Sequence, residues 1–320
     1  MKKRNFLHSI KWKMIAVFIF LLNCSAFSQT ADSYFDAAQA KAKLKDYKYA
    51  LVLIDKAIAL NDTSMLYYLF KGNMEAGLQH NKDAFSCFYK AISLQPKKSA
   101  PYAFAGNGYD ALGNGDSAIY MFTKAMEFAL NDTLRDNYLV ARGLAKVNIR
   151  DLQGGLADYQ VCLKHNPKNI EAWNNLGDIY NQTGEKFKAI NCLKMTAKLD
   201  STFPGTFENL GFIYSGMDSL EQALIYLNKA LKLEPESGMT YNNRGYVYYQ
   251  MKHYDQAIVD INKGLELNPD NSYGYRNRAL VYLALHKKSE ACSDLDAALE
   301  YGFEKRFGPE VKELKAKNCK

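Results

Sequence analysis

Ala172-Trp173-Asn174-Asn175-Leu176-Gly177-Asp178-Ile179-Tyr180 returns 34 residues later as Thr206-Phe207-Glu208-Asn209-Leu210-Gly211-Phe212-Ile213-Tyr214. After a further 34 it returns as Thr240-Tyr241-Asn242-Asn243-Arg244-Gly245-Tyr246-Val247-Tyr248. Self-similarity at a fixed period of this length marks a stacked-repeat architecture. Carried in both directions, the step generates a column of large residues: Tyr34, Tyr68, Tyr102, Leu139, Trp173, Phe207, Tyr241 and Tyr275. Four residues on lies a small column, Ala38, Gly72, Gly106, Gly143, Gly177, Gly211, Gly245 and Ala279. Twelve further lies a second, Ala50, Ala84, Ala118, Gly155, Ala189, Ala223, Ala257 and Ala291. One interval is 37, between Tyr102 and Leu139, where Asn131-Asp132-Thr133 lengthens a turn.

These columns have a direct physical meaning. Two small columns let a pair of helices approach closely, and the large column fills the space beside that contact. Pro96, Pro167, Pro235 and Pro269 share a column near the repeat's end, where a missing N–H costs little. Each unit is therefore helix A, a tight turn, helix B and a second turn. No unit can bury its apolar stripe alone, so stacking supplies the core. The hydrophobic fraction of 48% is ample for one.

The pattern resembles the tetratricopeptide repeat family, whose run of Trp, Leu, Gly, Tyr, Ala, Phe, Ala and Pro is met by Phe207, Leu210, Gly211, Tyr214, Ala223, Leu227, Ala230 and Pro235. The resemblance covers eight repeats over residues 31–305, with Lys41, Glu75 and Lys146 departing at the usual Tyr position. It implies an all-α, right-handed superhelical solenoid of helix–turn–helix repeats with a C-terminal capping helix, here residues 306–320. It also implies a concave groove walled by the A helices, with positions 2, 5, 9 and 12 of each repeat facing inward. On this sequence those positions give Glu171, Asn174, Asp178 and Asn181 from the fifth repeat and Glu208 and Phe212 from the sixth. The seventh gives Asn242, Tyr246 and Tyr249, and the eighth Tyr273 and Arg276. Aromatics mixed with amides suit recognition of a partner segment, and the same mixture suits a glycan. The Asn175, Asn243 and Asn277 column reads as structural, bonding the neighbouring repeat's backbone. The family's known grip on a peptide carboxylate is matched only by Arg276 with Asn277, so it is not inferred.

The formal charge of +7 is concentrated at the N-terminus. Five of the 41 basic residues lie in residues 1–29, which hold no acid, leaving 36 bases against 34 acids. A near-neutral body gives no electrostatic case for nucleic-acid binding. The basic start, the apolar run Met14 to Leu22 and the sequence Ala26-Phe27-Ser28 read as a secretory signal, residues 1–28, cleaved after Ser28. Nine apolar residues are too few to span a bilayer. Cys24 raises the alternative of a lipid anchor, but Asn23 sits where such signals place a small residue. The chain is therefore expected in the periplasm or cell envelope of a bacterium.

Nothing in the sequence carries catalytic chemistry. His80, His165, His253 and His286 fall in separate repeats near inter-helix turns, and His-Glu-x-x-His, Gly-x-Ser-x-Gly and phosphate-cradling Gly-x-x-x-x-Gly-Lys patterns are missing. Gly113-Asn114-Gly115 reads as an A–B turn in which Asn and Gly supply positive φ. Asp294 with Asp296, and Glu234 with Glu236, read as solvated carboxylates. Neither a metal nor a cofactor is implied, and the expected function is a non-enzymatic protein-binding scaffold. The alternative is a glycan- or peptidoglycan-binding module.

Cys87, Cys162 and Cys192 read as buried thiols. Cys292 and Cys319 are placed differently. After helix B of the eighth repeat, Tyr301-Gly302-Phe303 leads to Gly308-Pro309, where a final helix begins. Two helices joined by a short connection run antiparallel. Cys292 lies nine residues before Tyr301 and Cys319 ten after Pro309, so at ~1.5 Å per residue they come level at the far end. An oxidising compartment lets such a pair close a disulfide, stabilising the cap by roughly 3 kcal/mol. Mass spectrometry of the chain recovered from the cell envelope checks both expectations. A mature N-terminus at Gln29 and a linked Cys292–Cys319 peptide under non-reducing conditions are expected. A diacylglyceryl mass on Cys24, or both thiols alkylated without reductant, would contradict them.

Overall fold

The computed structural model describes residues 30–319, so the signal segment, its cleavage point and Cys24 lie outside the described residues. The chain divides into two compact units, Met1–Asp151 and Leu152–Lys320. In the first unit the described helices are α1 (Ala31–Lys43), α2 (Tyr47–Leu60), α3 (Met65–Gly77), α4 (Asn81–Leu94), α5 (Ser99–Ala111), α6 (Gly115–Glu127) and α7 (Asp132–Asn148). The second holds α8 (Leu152–His165), α9 (Ile170–Gln182), α10 (Lys186–Leu199), α11 (Pro204–Ser215), α12 (Leu220–Leu233), α13 (Gly238–Gln250), α14 (Tyr254–Leu267), α15 (Ser272–Ala284), α16 (Lys288–Glu300), α17 (Phe303–Phe307) and α18 (Glu310–Asn318). The described residues contain no strand. Within each unit consecutive helices pack as A–B pairs, and each pair packs on the next.

The small columns hold these pairs together. A Cβ added at Gly72 would lie 2.5 Å from the Phe88 ring, one at Gly211 2.5 Å from Leu227, and one at Gly245 2.6 Å from Ile261 and 3.1 Å from the Ala257 carbonyl oxygen. What fills the space over the glycine is a residue sixteen positions later, on helix B: Phe88, Phe122, Leu193, Leu227 or Ile261, all buried, with Ile54 and Leu295 buried at the same step after Ala38 and Ala279. The expectation that the large A-helix column fills this space is therefore corrected. Of that column Leu139 and Phe207 are buried, but Tyr34, Tyr68, Tyr102, Trp173, Tyr241 and Tyr275 are half-exposed. Their polar ends have another task. Tyr102 Oη donates to the Pro96 carbonyl at 2.9 Å and Trp173 Nε1 to the Pro167 carbonyl at 2.9 Å. The aromatic residue thus braces the turn before its own helix, giving a partner to a carbonyl left over at the end of the preceding one.

Every A–B turn is built alike. Lys45, Gln79, Gly113, Arg150, Gly184, Asp218, Lys252 and His286 are equivalent, and all have φ between 58° and 81°. In each repeat the next residue's N–H bonds the carbonyl five back, as His80 to Glu75 (2.9 Å), Glu185 to Tyr180 (2.7 Å) and His253 to Tyr248 (2.8 Å). This is the Schellman ending, which forces one left-handed residue. In Gly113-Asn114-Gly115 only Gly113 is left-handed. Asn114 has φ −89° and caps α6 by accepting from the Ser117 N–H, correcting the expectation that both residue types supply positive φ. Gly115 answers a different need: it is buried, and a Cβ there would meet Ile149 at 2.2 Å.

Asp294 is also corrected. It is buried and accepts from Arg278 Nε and Nη2 at 2.8 Å each, while Asp296 pairs with Lys315. One repeat earlier Asp260 is held by Arg244 in the same way, at 2.6 and 2.9 Å. The third guanidinium nitrogen, Nη1, reaches back to the preceding repeat, Arg244 to Asn228 and Arg278 to Asn262, at 2.7 Å each. Two-pronged geometry of this kind gives a buried carboxylate a hydrogen-bond partner at each oxygen.

The C-terminal cap differs from expectation in having two pieces. A five-residue helix, α17, precedes α18, with Gly302 and Gly308 left-handed on either side of it. Phe303 and Val311 are buried against Ala279, Leu295 and Ala298. The Cys292 and Cys319 sulfurs are within bonding distance, with Cα atoms 5.7 Å apart. Cys87, Cys162 and Cys192 are buried, and desolvation pushes the Cys87 and Cys192 thiols up to about 11.

Gly245→Ala is expected to lower stability by about 1–3 kcal/mol, because Ile261 and a backbone oxygen cannot both give way. Lys252→Gly should raise it by up to about 1 kcal/mol by relieving a left-handed non-glycine residue, less the glycine's own entropy cost. Thermal melts followed by helix signal, with Gly184→Ala as the reverse control, measure both.

Candidate functional site

A cavity of about 620 Å³ opens on the A-helix side of the second unit. Its lining contains six amides, Asn181, Asn209, Asn242, Asn243, Asn268 and Asn271. Phe212, Met239 and Phe307 add apolar surface and Tyr273 an aromatic wall; Glu208, Asp270 and Arg306 carry the charge. The three apolar side chains are unusually open, at 48%, 59% and 53% exposed. Amides offer both donors and acceptors, and exposed apolar groups beside them gain free energy when a partner covers them.

Local structure explains how these residues come together. Asn271 is the N-cap of α15, accepting from the Tyr273 and Gly274 N–H groups at 3.1 and 3.2 Å, and this seats the α14–α15 turn at the cavity rim. Glu208 accepts hydrogen bonds from Thr240 and, at 3.4 Å, from Ser237, the N-cap of α13. These hydroxyls orient its carboxylate. Asn242 is buried and accepts from Asn277 Nδ2 at 3.2 Å, showing one edge to the cavity.

Of the residues expected to face the groove, Asn181, Glu208, Phe212, Asn242 and Tyr273 line this cavity. Glu171, Asn174, Asp178, Tyr246, Tyr249 and Arg276 do not. Arg276 is a correction: it is 8% exposed, donates through Nε to Glu310 of the cap at 3.1 Å, and lies over the Tyr246 and Tyr273 rings at 5.3 and 5.5 Å. It pins α18 to α15 and offers no free guanidinium to a ligand. The column of asparagines is corrected too. Asn277 bonds a side chain rather than a backbone, and Asn243 lines the cavity. Asn209, Asn268, Asp270, Asn271, Met239, Arg306 and Phe307 were not anticipated. The turn segment Asn268-Pro269-Asp270-Asn271 carried a signal in its density of asparagine and aspartate, but α17 carried none.

Asp178 lies behind the cavity wall. Its carboxylate accepts from Asn209 Nδ2 at 3.2 Å, and burial raises it from 3.8 to about 6. Among the described residues one group brings metal-ligating atoms together, Glu75, His80 and Asp83 in the first unit. There His80 Nδ1 and Glu75 Oε2 are already 2.8 Å apart as a hydrogen-bonded pair, at the start of α4, where the helix dipole disfavours a cation.

Models of the tetratricopeptide repeat match residues 158–191, 205–237 and 239–271. No curated protein sequence matches the chain significantly. Among solved structures, a tetratricopeptide repeat protein from Parabacteroides merdae is similar at 19% identity, over 79% of this chain and 98% of that one, with a TM-score of 0.63. The Cut9–Hcn1 hetero-tetramer of APC/C is similar at 17% identity over 91% of this chain, which spans 57% of the matched one, with a TM-score of 0.62. Pseudomonas aeruginosa pilF matches at 14% identity over 66% and 94% of the two chains, with a TM-score of 0.56. At these identities the likeness is one of fold. No helix among the described residues is long and apolar enough to cross a membrane.

Because the folded state raises the Asp178 carboxyl, it holds that proton more tightly than the unfolded chain. The stabilisation is complete below about pH 4 and is lost as pH rises through about 6, leaving a desolvated charge at neutral pH. Asp178→Asn keeps an acceptor for Asn209 and should raise stability at pH 7.5 by on the order of 2–3 kcal/mol. The gain should vanish near pH 4; denaturant melts at the two pH values test it.

Proposed function

We propose that this chain, a tetratricopeptide repeat protein, works as a non-enzymatic scaffold of the bacterial cell envelope that holds a segment of another protein in the amide-lined cavity of its second unit. The observation that carries this is the pairing of six amides with three exposed apolar side chains in one cavity. Amides at spaced positions satisfy the backbone of an extended polypeptide, while Phe212, Met239 and Phe307 take its side chains. The groups that might otherwise suggest catalysis are committed elsewhere: Asp260 and Asp294 to arginines, and His80 to Glu75. Export to the envelope rests on the signal-like start of the sequence.

A glycan platform needs flat aromatic faces open to solvent. Tyr273 is packed on Phe303 and Phe307 at 5.7 and 5.2 Å, and Arg276 lies over Tyr246. Of the open apolar groups in the lining, Met239 is not aromatic and the Phe307 ring already packs on Tyr273 and Phe303, which leaves Phe212 as a single open ring and favours a polypeptide.

A photo-crosslinking residue placed at Phe212 or Phe307 in the native host should yield protease-sensitive adducts. The same residue at Val259, which is exposed but does not line the cavity, should not. Adducts digested by glycosidases instead would favour the glycan reading. Adducts from Val259 alone would remove the cavity from consideration.

A further inference from the structure

The helix that closes the solenoid, α18, is nine residues long, too short to stand alone in water. At its start Arg276 holds Glu310, and Val311 is its one buried side chain. Those two side chains keep their aim only while the helix that carries them is formed. Further along, Leu314 packs partly on the core, and Lys315 pairs with an exposed Asp296, a kind of contact that contributes little. Lys312 pairs with Glu304 inside the cap and does not hold it to the repeat. The covalent tie is at the far end, where Cys319, the C-cap of α18, meets Cys292 on α16. Both cysteines are half-buried and within reach of a reagent, whereas Cys87, Cys162 and Cys192 are buried. Between the last repeat and α18 lies α17, five residues flanked by left-handed Gly302 and Gly308. Its first residue, Phe303, is buried in the core. Arg306 and Phe307 at its other end are exposed and line the cavity, and their position follows from where Gly308 delivers the chain to α18.

We propose that Cys292 and Cys319 form a redox latch on the cavity. As a disulfide the pair holds α18 on α16 and sets Arg306 and Phe307 in the cavity wall; as two thiols it lets α18 fray and the wall open. This rests on the reading that the cavity holds a partner segment, and it adds the condition under which that cavity is complete. The opening step is thiol–disulfide exchange with a dithiol reductant. One thiolate of the dithiol attacks a sulfur of the pair, the Cys292–Cys319 bond breaks and a mixed disulfide forms. The second thiolate of the dithiol then displaces the bound cysteine. The reductant leaves as a disulfide, and two electrons and two protons remain on Cys292 and Cys319. Closing is the reverse, with a disulfide as the oxidant. Burial keeps Cys87, Cys162 and Cys192 out of the exchange. With the latch open only a fraction of chains present the complete wall, and the apparent affinity for a partner falls by that fraction.

Amide hydrogen exchange of the whole chain, with and without dithiothreitol, tests this. With the reductant, amides of residues 303–318 should exchange on the order of tenfold faster, those of α13 and α14 should keep their rate, and oxidised glutathione should restore the slow exchange. The variant with Cys292→Ser and Cys319→Ser should match the reduced chain and ignore dithiothreitol. With a photo-crosslinking residue at Phe212 in the native host, that variant should give roughly threefold fewer protease-sensitive adducts than its parent at equal abundance. Equal exchange over residues 303–318 in the two states would overturn the inference. An equal rise through α13 and α14 would do the same, because the bond then stabilises the unit as a whole and latches nothing. Adducts in equal yield from parent and variant would also overturn it, while leaving the cavity reading standing. No adducts from the parent would take down the cavity reading, and with it the control over binding inferred here.

Discussion

The contact of a glycine on helix A with a large apolar side chain sixteen residues later on helix B sets the spacing of almost everything else. Where the glycine lacks a Cβ, the ring of Phe88 or the branch of Leu227 or Ile261 occupies the volume a methyl group would need. The helices can then lie close enough for the second small column to meet the first helix's backbone. Six of eight repeats use glycine at this point, and the two that use alanine, at Ala38 and Ala279, stand at the ends of the series. Because the contact recurs at a fixed step, the A-helix faces recur at that step too. Within each unit, side chains on successive A helices thereby come into register.

The turns are the other constant. A left-handed residue and a six-to-one backbone bond end every A helix, whatever the side chain. Six of the eight left-handed residues are not glycine, so the bond and the packing of the helix pair outweigh a local cost of about 1–2 kcal/mol each. Strain here belongs to the scaffold and implies nothing about chemistry. The paired arginines Arg244 and Arg278 add a second tie between neighbouring repeats, by holding a buried aspartate with one edge and reaching the preceding helix B with the other.

The cap has a double part. Phe303 and Val311 close the end of the core, and Arg276 fastens α18 by ion pair and ring contact. The same segment turns Arg306 and Phe307 into the cavity. The end of the solenoid is thus also a wall of the candidate site, and the stability of one is tied to the shape of the other.

The period, the helical class and the two small columns were legible in the sequence, because steric exclusion at a close helix contact leaves only glycine or alanine and repeats that demand every 34 residues. Asn181, Glu208 and Phe212, which line the cavity, could be set on the A-helix face from the sequence because a helix fixes which residues share a face. What the sequence could not decide was which inward residues stay free. Arg276 has the type and position of a ligand-binding group, yet Glu310, 34 residues away, consumes it. Asp294 has the look of a solvated acid, yet Arg278 buries it. The cavity wall made by Asn268 to Asn271 and by Arg306 and Phe307 depends on where a turn and a five-residue helix come to rest. Those positions follow no period; they are set by the packing of the last repeat against its cap, which only the tertiary structure supplies.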